Sequence, residues 1–208
     1  MIPVAAAFGN AGCALLGLLV VLMALRVERF SNPRVRAAVA LVTVLVLLAP
    51  LGELSAAEYT RSVTGDLSIS TWFLAGAACV ARLSGRVLIR GRELRVLLWL
   101  LCGAAAFLYP FALGLTRFDP YALGYGSLTF GTALLLIALA AWRRGFNLVV
   151  LVLVVAVLAY LGGVYESRNL WDYLVDPLAC GYALARLAAA SIAKADDRPH
   201  PGRGASLR

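Results

Sequence analysis

Seven carboxylates and three arginines fall in three short segments between long apolar stretches, and they are the residues most able to do chemistry. The first segment holds Glu53, Glu58, Arg61 and Asp66, the second Arg117 and Asp119, the third Glu166, Arg168, Asn169, Asp172 and Asp176. Two arrangements fit these residue types. In one, the arginines and acids form an ion-pair lattice that pins short loops together. In the other, the surplus of four carboxylates lines a pocket for a cation, a proton pathway or a polar lipid headgroup. An arginine among them would grip a phosphate, which suits a phospholipid or a lipid-linked sugar.

Asp172 and Asp176 stand four residues apart, so on one helix they share a face. A helix that begins near Asn169 or Leu170 gives this arrangement and is the favoured reading. It carries Asp176 about two turns inward, where a carboxylate needs a partner among Arg61, Arg117 and Arg168. The other reading makes Asp176 the cap of a helix that starts at Pro177. It shortens the span and draws Arg186 toward mid-membrane. The stretch Asn169-Leu-Trp-Asp172-Tyr-Leu-Val-Asp176 resembles the Asp-rich motifs of membrane prenyltransferases and alcohol phosphotransferases. Those families hold magnesium through carboxylates. It also resembles, more distantly, the paired aspartates of lipoprotein signal peptidase. The neighbouring motif residues are missing, and no family is assigned.

Other chemistries lack their residues. The only histidine, His200, and the only lysine, Lys194, both lie at the C-terminal end. Zinc hydrolysis, haem ligation, His-dependent nucleophilic catalysis and a Schiff base therefore have no candidate residue in the apolar region. Gly124-Tyr125-Gly126-Ser127 has a serine in a glycine-rich turn but no histidine to activate it, and no phosphate-cradling glycine loop with lysine is present.

The elements that must position these groups are apolar helices. With 208 residues, 62% of them hydrophobic, the chain reads as all-α, a polytopic integral membrane bundle. Seven stretches approach the ~20 residues that cross a bilayer: 4–25, 37–55, 67–84, 94–115, 123–142, 146–164 and 170–192. The segments between them alternate in charge. One set holds 16 basic and 4 acidic residues, the other 3 basic and 7 acidic. Cytoplasmic loops keep the excess of arginine and lysine. The N-terminus is accordingly expected outside and the C-terminus in the cytoplasm. The acidic segments then form the outer face, which the positive-inside rule leaves unexplained because acids contribute little to it.

Residues 1–193 are read as one seven-helix transmembrane domain and 194–208 as a disordered cytoplasmic tail. The first basic side chain, Arg26, follows the first apolar run, so that run is expected to remain as an uncleaved span. Arginine outnumbers lysine 18 to 1, which suggests a GC-rich bacterial genome and places the chain in a bacterial inner membrane. The four cysteines all fall within spans and read as packing residues. The basic residues are scattered over four short segments, which argues against nucleic acid and for anionic lipid headgroups.

Helix composition suggests an arrangement. The first, third, fifth and seventh spans carry small or polar residues and are expected inside the bundle. The sixth, almost entirely Val, Leu and Ala, is expected to face lipid. Pro50 and Pro110 read as frayed ends or kinks.

No complete catalytic set is present. The expected function is therefore a non-catalytic multi-pass inner-membrane component, a subunit of a larger envelope or transport assembly. Its partners are membrane lipids and either another membrane protein or a second copy. The alternative is an outward-facing lipid- or glycan-handling enzyme or transporter that uses the acids and arginines above. The residues assign no cofactor and no metal.

Overall fold

The computed structural model describes residues 4–112 and 118–196. Within them the fold is all-helical, with no strand among the described residues. Seven longer helices follow the seven apolar stretches: α1 (Val4–Ala24), α2 (Pro33–Leu48), α4 (Ile69–Ser84), α5 (Gly91–Ala112), α6 (Leu128–Arg143), α7 (Asn147–Leu161) and α9 (Pro177–Asp196). Two short ones, α3 (Ala56–Thr64) and α8 (Leu170–Leu174), lie in the acidic segments. By length and hydropathy α1 and α5 are the two able to cross a membrane, while α4, α6, α7 and α9 are shorter apolar helices. The last helix runs to Asp196, and residues 197–208 of the expected tail lie outside the described residues.

Side-chain caps set most helix starts. Asn32 accepts from the Arg34 amide with Pro33 in the first turn, Ser68 from Thr71 and Ser127 from Phe130. Each oxygen satisfies one of the amides that a helix start leaves without an intrahelical partner. At the end of α4, Gly85 takes a left-handed conformation (φ 73°) that a side chain would resist.

α1 packs on α2, α3 and α4, and α5 packs on α7 and α9. α4 joins the two groups, touching α7, α8 and α9 as well as α1. This is the central packing expected of the third apolar stretch. Two other expectations are corrected. The Val/Leu-rich α7 is not lipid-facing all round: Val149, Val152 and Ala156 are almost fully buried, because a helix without polar groups suits a protein core as well as lipid. α6, from the fifth apolar stretch, lies at the periphery. Leu128, Leu135, Leu136 and Trp142 are exposed, and Gly131 has open space around it.

The expected long helix from Asn169 or Leu170 is also corrected. The chain breaks at Val175, which is extended (φ −137°, ψ 145°), and α9 restarts at Pro177 with the Asp176 carboxylate bonded to the Ala179 amide at 2.7 Å. Pro177 has no amide to continue α8 and disfavours helical geometry at Asp176. The break puts Asp176 at a helix start, where amides await an acceptor.

Candidate functional site

The three acidic segments meet at one end of the bundle. Asp176, 7% exposed, lies at their centre. Its Oδ1 caps α9 through Ala179, while its Oδ2 accepts from the Ser68 amide (2.8 Å) and the Thr71 hydroxyl (2.6 Å) at the start of α4. One carboxylate thus sits at the positive ends of two helices, which favours its negative charge. It needs no arginine, and among the described residues it has none. Ser70 reinforces the junction by donating its hydroxyl to the Leu174 carbonyl.

Among the described residues, Arg61 is the one of the three arginines with an ion-pair partner. Arg61 Nε donates to Asp66 Oδ1 at 2.6 Å, and Glu166 approaches the same guanidinium at 3.6 Å. Asp66 raises the Arg61 pKa through that hydrogen bond, against some desolvation. The pair lies directly on Gly9 of α1, where a Cβ would overlap Asp66 Oδ1 and Arg61 Nε. Glu58 completes a capping box with Ser55, accepting from its amide (2.7 Å) and hydroxyl (2.8 Å), and also accepts from Asn10 at 3.4 Å. The Ser55 hydrogen bonds hold Glu58 below the usual carboxylate range.

Asp172 is half-buried, and its side-chain partners among the described residues are hydroxyls. It accepts from Tyr121 Oη (2.9 Å) and from Ser167. Burial first, then the hydrogen bond to Asp172, pushes the Tyr121 phenol well above its ordinary range, so it stays a donor. Burial does the same to Tyr165, which donates to the Leu67 carbonyl. Asp66, Asp172 and Asp176, with Tyr109, Tyr121 and Tyr165, line a cavity of about 380 Å³. Its chemistry is acidic and phenolic. It suits a positively charged or hydroxyl-bearing group, and no set of three acid, cysteine or histidine ligands able to hold a metal occurs among the described residues.

The remaining described candidates lie outside the cavity lining. Asp119 is exposed and bonds the Tyr121 amide at 2.9 Å, a local turn. Asn169 is fully buried but structural: it caps α8 at Trp171 and donates to the Tyr121 carbonyl at 2.9 Å. Its amide lies against Gly124, where any Cβ would overlap it. Glu53 and Arg168 are exposed, with no ion-pair partner among the described residues. Arg117 lies outside the described residues. The expected lattice of three arginines is thus reduced, among the described residues, to one arginine with two acids.

Sequence reasoning missed the partners. Ser68 and Thr71 read as polar residues at a helix start, and only the Asp176 contact gives them a role. Tyr121 and Tyr165 are of the type that membrane interfaces collect for amphipathic reasons alone, and Tyr109 falls inside the fourth apolar stretch. Comparison with protein-family models, curated proteins and solved structures gives no match.

Proposed function

We propose that the protein is a seven-span membrane component with its acidic segments on the outer side of a bacterial inner membrane, and that its role is non-catalytic. The observation that carries the second part is the use already made of the carboxylates. Asp176 joins two helix starts, Asp66 binds Arg61, Glu58 closes a capping box and Asp119 closes a turn. Each of these carboxylates is thus already engaged in holding a helix start, an ion pair or a turn.

The membrane reading rests on what the helices leave uncovered. α2 has no buried residue, and Leu41, Val42, Leu45 and Val46 are each more than half exposed. Leu135 and Leu136 of α6 and Leu158 and Leu161 of α7 are exposed to a similar degree. Contiguous apolar surface on this scale calls for lipid or a partner protein. A helix of 16 residues, such as α4, spans roughly 24 Å, less than the ~30 Å hydrocarbon layer. Flanking residues such as Leu67 or a locally thinned bilayer make up the difference.

The subunit role is tested by affinity purification in a mild detergent. A membrane protein recovered in constant stoichiometry supports it. A monodisperse single copy carrying a bound amine or glycan supports the second reading instead, an outward-facing lipid- or glycan-handling protein. That alternative is favoured by one observation: Asp172 lines the 380 Å³ cavity and, among the described residues, has hydroxyl partners and no cation.

A further inference from the structure

A second cavity, of about 500 Å³, lies between α1, α4 and α9 and reaches the acidic cluster at one end through Thr71 and Ala179, both bonded to Asp176. Its floor is α4, where Ala75 and Ala78 leave depth, and its walls are Leu16 and Leu19 of α1 and Tyr182 of α9. Two arginines line it, Arg82 from α4 and Arg186 from α9. Neither has an ion-pair partner among the described residues, and no carboxylate lines the cavity. The Nε of Arg82 is buried with no hydrogen-bond acceptor. A buried guanidinium nitrogen without an acceptor is costly, and an anionic acceptor in the groove would satisfy it.

The two arginines are brought to one end by the fold. α4 and α9 both start at the Asp176 junction, through Ser68 and Asp176 itself. Counting from there at 1.5 Å per residue, Arg82 lies roughly 21 Å along α4 and Arg186 roughly 15 Å along α9. Arginine stems are long enough to reconcile that difference. Toward the acidic end the groove is lined by Leu74, Leu178 and Ala179. Apart from Thr71, which is bonded to Asp176, it is therefore apolar along its length and cationic at one end, and Met23 and Tyr182 leave it open at the surface.

We propose that this groove binds a phosphate-bearing anionic lipid, its phosphate held by Arg82 and Arg186 and one acyl chain lying over Ala75 and Ala78. Charge complementarity selects the headgroup, since arginine pairs with phosphate through two parallel hydrogen bonds. The apolar lining selects a lipid over a soluble anion. The site rests on the membrane reading, which puts the arginine end at the cytoplasmic leaflet, where basic pockets between helices meet anionic headgroups.

The test uses the full chain purified in a neutral detergent. Native mass spectrometry and thermal unfolding are followed while phosphatidylglycerol, phosphatidylcholine or inorganic phosphate is added. Phosphatidylglycerol is expected to remain bound and to raise the unfolding temperature, with phosphatidylcholine at least tenfold weaker. The double variant Arg82→Gln/Arg186→Gln is expected to lose that preference, and Arg144→Gln, an exposed arginine outside the groove, to keep it. Equal binding of phosphatidylglycerol by the double variant overturns the site and leaves the membrane reading standing. Equal protection by inorganic phosphate overturns the lipid assignment. A chain released from the membrane fraction by salt or alkali, without detergent, fails the reading on which the site rests.

Discussion

Asp176 accepts the Ser68 backbone amide at 2.8 Å across 108 residues of sequence, so the carboxylate that caps α9 also holds the start of α4. Asp176→Asn keeps the shape but replaces one acceptor with a donor facing donors. The expected cost is about 2–4 kcal/mol, from the lost charge and from Ser68 and Thr71 left facing an amide donor, while the remaining oxygen still caps α9. Thermal unfolding in detergent reads it, and Thr71→Val combined with Asp176→Asn should cost less than the two variants summed. Strict additivity would dissolve the junction.

Gly9 faces the Arg61–Asp66 pair at a separation that leaves no room for a side chain. Gly9→Ala is expected to destabilise by about 1–3 kcal/mol, as overpacking does. The arginine is the removable half of that contact, so the penalty should shrink in an Arg61→Ala background. The same double-variant series measures it, and an unchanged penalty contradicts the contact.

Glu58 is held below its ordinary pKa of 4.5 by the Ser55 hydrogen bonds. A lowered folded-state pKa contributes stability that is fully present above about 4.5 and is lost as the pH falls through the lower folded value. The stability difference between wild type and Glu58→Gln should therefore be steady from neutral pH to about pH 5 and narrow below it. A difference that widens on acidification reverses the sign and removes the capping role.

Asp172 separates the two functional readings. For a non-catalytic component, Asp172→Asn and Tyr121→Phe lower abundance, and any cellular phenotype follows abundance. Quantitative immunoblotting beside complementation of a deletion strain makes the comparison. Normal abundance with lost complementation transfers the argument to the outward-facing cavity.

The helices were legible because they are long apolar runs, and their order along the chain follows directly. The packing was not. α7 reads as a lipid-facing helix by composition, yet Val149 and Val152 pack in the core, since valine is equally at home against lipid and protein. At the acidic end, the sequence identified Asp66, Asp172 and Asp176 by type, and they do share a cavity. It misread how they are satisfied. The search for a buried acid's partner turned to arginines, whereas Asp176 is served by two backbone amides and a threonine. Backbone amides have no letter in a sequence. They become visible only when Pro177 is seen to break the chain and present a helix start.

The seven-span arrangement is tested most directly by single-cysteine labelling in intact cells, using a variant lacking the four native cysteines. Positions 53, 119 and 166 should react with a membrane-impermeant maleimide from outside, and positions 29, 86 and 144 only after permeabilisation. Reaction of both sets from the same side, as a two-span or peripheral protein would give, contradicts the account.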